Sequence, residues 1–238
     1  MIPLLLVPGT LCDQRLWRYQ IEDLSDIADC RVADVSQDDS LPGMAQRALA
    51  DADTPEHFAL AGFSLGAMVA LEIYRQAPER VSHLALLDGT PYPDLTHRRE
   101  ARFTLLRQLR EQSMEQIMRD TLLPVYLPPN RQKDASIVDV IIEMGVELGA
   151  EVLERQTRAL LNRDDYNGLF THISCPTLAL CGDADQLCRP QWYTTMTARM
   201  PQAECVIIPD SGHFTVLEQP DLVNTALRRW LETAATTG

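Results

Sequence analysis

Positive charge is scarce in this chain. Its 238 residues carry 21 Lys and Arg against 34 Asp and Glu, a formal net charge of -13. Nucleic-acid binding depends on clustered Lys and Arg, so no nucleic-acid partner is expected. The densest basic stretch, residues 97–110, is interrupted by acid and reads as a solvated helix face. A long hydrophobic run is also missing. The apolar opening Met1 to Val7 is far shorter than a signal peptide or a membrane span, so neither secretion nor a membrane partner is expected. Six cysteines (Cys12, Cys30, Cys175, Cys181, Cys188 and Cys205) form no C-x-x-C pair, and no H-E-x-x-H or other metal-ligand spacing occurs. The expectation is no metal site, and free thiols in a reducing cytoplasm. Internal repeats and low-complexity tracts are absent as well.

What is present is enough apolar material, 45% of residues, for one sizeable core, with charged residues at an ordinary 23%. Apolar runs of strand length alternate with stretches of helical period. "IPLLLVPG" is a continuous run ended by Pro-Gly, as a strand buried on both faces requires. "CRVADVS" is a weaker strand, while "HFALAGF", "VSHLALLDG", "PTLALCGD" and "AECVIIPD" are clear ones. Helical spacing separates them: Leu16, Trp17, Ile21 and Leu24; Leu41 to Ala52; Met68 to Ile73; Gln191 to Met200; and Leu222 to Leu231. Such alternation predicts an α/β domain with a mostly parallel sheet. Residues 91–172 break it, holding helical patterns but no convincing strand. The predicted organisation is therefore a core of residues 1–90 and 173–238, with an all-helical cap insertion at 91–172. Inside the insertion, "LPVYLPPN" reads as too proline-rich for helix or strand.

Three reactive side chains fall at strand ends, where open parallel sheets gather ligands. Ser64 follows "HFALAGF", an acid follows "PTLALC", and His213 follows "AECVIIPDSG". A serine hydroxyl is a weak nucleophile that needs an imidazole to take its proton. The imidazole needs a carboxylate to hold its tautomer. Two acids compete at the second strand end, Asp183 and Asp185. Gly62-Phe63-Ser64-Leu65-Gly66 matches G-x-S-x-G between a strand and a helix. A side chain at 62 or 66 would collide with the neighbouring helix or strand. Trp17 reads as helix-to-sheet packing and Cys12 as a conceivable pocket wall. Phe63 and Phe214 flank the reactive residues, with pocket lining and core left open for both.

With these residues in view, the chain resembles the α/β-hydrolase fold superfamily over nearly its whole length. "LLLVPGTLCDQRLWRYQIEDL" is similar to the superfamily's oxyanion loop, with Pro8 where His is usual. "LCGDADQLCRP" resembles its acid segment, and "IPDSGHFTVLEQPDLV" its Gly-His segment with a following acidic residue. The resemblance implies a catalytic triad of Ser64, Asp185 and His213, and an oxyanion hole from the backbone N–H groups of Thr10 and Leu65. It places the acid three residues after Gly182, which favours Asp185 and leaves Asp183 to shape the turn. The usual two leading antiparallel strands are missing, so a sheet of about six strands with helices on both faces is expected.

The expected function is a cofactor-free, cytoplasmic serine hydrolase acting on a small-molecule ester, thioester or related acyl compound. Two alternatives share the fold: a lyase or carbon–carbon cleaving enzyme using the same serine and histidine for proton transfer, and a receptor-like binding protein. Composition says nothing about oligomeric state.

Overall fold

A computed structural model describes residues 1–233. β1 (Ile2–Val7) sends Leu4 and Leu6 to one side of the sheet and Leu5 and Val7 to the other, where each pair joins a buried apolar cluster. Burial on both faces is why this strand is apolar throughout. A 3₁₀ turn over Gln14–Trp17 leads into α1 (Arg18–Asp23). β2 follows at Ala28–Val32, so the strand begins before "CRVADVS" and leaves its second half as loop. β2 is an edge strand with alternating exposure, which explains its faint apolar pattern.

α2 (Leu41–Ala50) starts at Ser40, whose Oγ accepts the Gly43 N–H at 3.2 Å. β3 (Phe58–Phe63) is buried along its whole length and runs through a one-residue turn into α3 (Leu65–Gln76). β4 spans Val81–Leu87.

Helices alone then follow: α4 (Thr96–Gln108), α5 (Met114–Gln116), a π-helical turn over Ile117–Leu122, α6 (Leu123–Tyr126) and α7 (Ala135–Leu161). α6 corrects the reading of "LPVYLPPN", because its first half is helical. Pro124 is the second residue of α6, directly after the π-helical turn. α7 breaks at Gly149, whose φ of 82° and ψ of -179° are not helical. No atom would crowd a Cβ there, so conformation alone asks for glycine.

The chain closes with β5 (Thr177–Gly182), α8 (Pro190–Thr197), β6 (Ala203–Ile208), α9 (Thr215–Glu218) and α10 (Pro220–Leu231). Among the described residues six strands run parallel in the order β2-β1-β3-β4-β5-β6. Helices cover both faces: Trp17, Leu227 and Trp230 pack on one, Met44, Val69 and Tyr193 on the other. The order reverses between β1 and β3, a switch point where loops part and leave a crevice. Among the described residues the six cysteines are free thiols, and no helix is long and apolar enough to cross a membrane.

Candidate active site

Ser64 sits at that switch point, between the end of β3 and the start of α3, with φ 54° and ψ -113°. Its N–H donates to the Leu87 carbonyl at 2.8 Å, which ties the turn to β4. The glycines on either side let backbone pass against backbone. A Cβ on Gly62 would lie 2.2 Å from the Gly66 carbonyl oxygen, and one on Gly66 would lie 2.0 Å from that of Val7. The Ser64 Oγ is 2.9 Å from His213 Nε2, and His213 Nδ1 is 2.8 Å from Asp185 Oδ2. A proton on Nδ1 donated to the carboxylate leaves Nε2 free to accept from the hydroxyl. The other oxygen of Asp185 accepts the N–H groups of Leu187 at 2.7 Å and Cys188 at 2.9 Å. Asp183 does not reach the imidazole. It is exposed, and its Oδ1 accepts the Ser211 N–H at 3.3 Å.

Supports beyond the three reactive side chains hold the histidine. The His213 N–H donates to the Tyr126 carbonyl at 3.0 Å, and the Tyr126 ring stacks on the imidazole with centroids 5.8 Å apart. Glu218 accepts the N–H groups of Gly212 at 2.9 Å and Phe214 at 3.0 Å, clasping the loop on both sides of His213. The acidic residue after the Gly-His pair was the signal for that clasp. Asp88, at the end of β4, accepts the Gly182 N–H at 3.2 Å and the Thr215 hydroxyl. Burial, followed by the charge of Asp185, pushes its carboxyl well above the usual carboxylate range.

Leu65, the first residue of α3, has an N–H with no carbonyl one turn back to bond. Thr10 lines the same cavity as Ser64 and His213. Its loop is held from above by α7, because Gln156 accepts the Leu11 N–H at 2.8 Å and donates to the Val35 carbonyl at 3.1 Å. Trp17 and Phe63 meet edge to face at 6.4 Å, and Phe63 and Phe214 pack at 5.1 Å. All three lie in the core, outside the cavity lining. Cys12 borders a separate cavity beside Pro8 and Val35, and burial pushes its thiol far up.

The cavity above Ser64 has a volume of about 420 Å³, within the range of small-molecule sites. Its roof is helical, formed by residues such as Leu105, Leu122, Tyr126 and Leu153. Arg98 and Arg102 of α4 also face it, which corrects the reading of residues 97–110 as only a solvated face. Asp185, Cys188 and His213 offer ligand atoms within 4.8 Å of one another. Asp185 and His213 are already bonded to each other, and burial holds the Cys188 thiol protonated, so this donor set suits a hydrogen-bond relay better than a metal ion.

A model of the alpha/beta hydrolase family matches residues 4–226. Among curated proteins, one from Klebsiella pneumoniae named as the carbamate hydrolase RutD is 27% identical over 175 residues, 72% of this chain and 64% of that protein. The match thus spans just under two thirds of that relative's length. A pimeloyl-[acyl-carrier protein] methyl ester esterase of Nitrosomonas europaea is 24% identical, over 92% of this chain and 91% of its own. Among solved structures, a thermophilic esterase from Thermogutta terrifontis with malate bound superposes with a TM-score of 0.89 at 26% identity. That superposition covers 99% of this chain and 91% of the esterase.

Proposed function

The chain belongs to the alpha/beta hydrolase family, and from that premise we propose that it is a serine hydrolase cleaving a small carboxylic ester, thioester or related acyl compound through an acyl-enzyme. The observation that carries this reading is the relay from Ser64 Oγ through His213 to Asp185, at 2.9 and 2.8 Å, opening into the cavity. Relatives named as a carbamate hydrolase and as a methyl ester esterase support acyl cleavage.

In this mechanism Ser64 Oγ attacks the substrate carbonyl while His213 Nε2 takes its proton. Asp185 keeps the imidazole in the tautomer that can do so and stabilises its positive charge. Negative charge moves onto the carbonyl oxygen, where the N–H groups of Leu65 and Thr10 receive it beside the positive end of α3. Collapse of the tetrahedral intermediate breaks the acyl–oxygen or acyl–sulfur bond, and His213 returns its proton to the leaving group. Water then repeats the sequence against the acyl-serine. The helices of residues 91–172 act as a cap that sets substrate size.

The test is a fluorophosphonate labelling reaction together with turnover on short-chain esters. Wild-type protein is expected to label at one serine and to cleave the esters. Ser64→Ala should lose the label and, as for other triad nucleophiles, on the order of 10⁶ in kcat, with an unchanged circular dichroism spectrum. A variant that kept a tenth of the activity would end the assignment. Labelling without ester turnover would point instead to proton-transfer chemistry at the same residues.

A further inference from the structure

The cavity above Ser64 carries more positive charge than acyl transfer requires. Its described lining holds three arginines, Arg98, Arg102 and Arg163, and no Asp or Glu, inside a protein of net charge -13. Arg98 and Arg102 lie one turn apart on α4 and therefore share a face. Arg163 comes in just beyond the end of α7. One carboxylate serves them: Asp94, its side chain fully buried, pairs with Arg102 at 2.5 Å and Arg163 at 3.0 Å. Arg98 forms no ion pair among the described residues.

Arg163 is the less usual of the three. Its side chain is 2% exposed, it donates to the Tyr92 carbonyl and to Asp94, and its Nε has no partner. Burial draws the guanidinium down to about 10, against the pull of Asp94, so it is charged at neutral pH but poorly solvated. Three cations against one anion leave the cluster short of acceptors, and a buried cation without full compensation is costly. An incoming anion would supply what is missing. The guanidinium fork matches a carboxylate through paired N–H donors. The lining that the arginines share with Ser64 includes the apolar side chains of Met68, Leu153 and Leu160, with the Met68 sulfur 3.1 Å from Arg163 Nη1, and suits a short hydrocarbon spacer.

We propose that Arg98, Arg102 and Arg163 form a carboxylate-binding subsite, so that the preferred substrate is an acyl compound bearing a second, free carboxylate remote from the scissile carbonyl. The proposal rests on the serine-hydrolase reading above. Subsite occupancy orients the carbonyl over Ser64, and the charge attraction is local because the exterior of the protein repels anions.

Matched substrates test it: monomethyl glutarate and monomethyl adipate against methyl pentanoate and methyl hexanoate. The half-esters are expected to show kcat/KM about tenfold higher or more, the scale of one charge-assisted hydrogen bond. Arg98→Gln should reduce that ratio by about tenfold, chiefly through KM, as loss of uniform binding does. Arg98→Lys should recover part of it, because it keeps the charge and loses the fork. In parallel, calorimetric titration of Ser64→Ala with monomethyl glutarate and with methyl pentanoate, which carries no free carboxylate, reads the subsite without turnover. Tighter binding of the half-ester that Arg98→Gln abolishes supports the proposal. Equal binding, or a half-ester preference unaffected by Arg98→Gln, overturns it. If neutral esters turn over with no preference for half-esters, the subsite fails and the hydrolase reading stands. If no ester is cleaved and Ser64 takes no label, the hydrolase reading fails, and the titration still decides the subsite.

Discussion

Asp183 and Asp185 leave the same strand end two residues apart, and their surroundings separate them. Asp185 is buried, with one oxygen on His213 and the other held by the N–H groups of Leu187 and Cys188. Asp183 is exposed and accepts one long bond from Ser211. Asp185→Asn keeps the shape but favours the wrong histidine tautomer, and should cost on the order of 10⁴ in kcat. Asp183→Asn should cost at most about 1 kcal/mol in stability, the value of an ordinary hydrogen bond, with kcat near wild type. Ester kinetics and urea melts on the two variants check the ranking. A dead Asp183→Asn beside an active Asp185→Asn would move the acid by two residues.

Where β3 meets α3, the constraint belongs to the element and not to any one side chain. The strand–turn–helix unit brings the backbone of Gly62 against that of Gly66, and Gly66 against Val7 of the neighbouring strand. A Cβ at either place meets carbonyl oxygens, which cannot rotate away as a flexible side chain would. Gly62→Val and Gly66→Val must therefore shift α3 relative to the sheet or fail to fold. Low soluble yield, or a large drop in melting temperature with loss of ester turnover, is the expected outcome. Soluble, fully active proteins at both positions would be incompatible with this crossing. The Glu218 clasp around His213 belongs to the same scale, since two N–H donors on one loop converge on one carboxylate of α9.

At the scale of the whole molecule, a band of buried carboxyl groups runs under the site and couples folding to pH. Burial raises Asp88 and Glu218 above the usual range, with the charge of Asp185 adding to the rise of Asp88. A carboxyl raised in the folded state binds its proton more tightly there than in the unfolded chain. The stability it contributes is complete below the ordinary carboxylate pKa and is lost as pH rises through the raised value. Asp88→Asn removes the titration and keeps an acceptor for the Gly182 N–H. Melting temperatures of wild type and variant, followed from about pH 4 to about pH 8, should diverge in favour of the variant as pH rises. A constant difference across that range would show that Asp88 is not raised.

The sequence by itself determined the six strands, their alternation with helices, and the strand ends that carry Ser64, the acid and His213. These are properties of short windows: a continuous apolar run wherever both faces are buried, and two glycines wherever backbones cross. The edge strand β2 starts two residues before "CRVADVS" and ends four residues before that stretch does, because an edge buries one face and weakens the pattern. The residues alone left Asp183 and Asp185 open and the family resemblance favoured Asp185, while the contact itself, to an imidazole 28 positions away, exists only in the folded chain. The tertiary structure also brought Gln156 onto the loop after β1, from 145 positions along the chain. The arginines show the difference most plainly. In sequence, residues 97–110 are a basic helix interrupted by acid, and periodicity can say which residues share a face. What packs against that face depends on Asp94 and Arg163 folding in from elsewhere, and contact between distant segments leaves no local pattern to read.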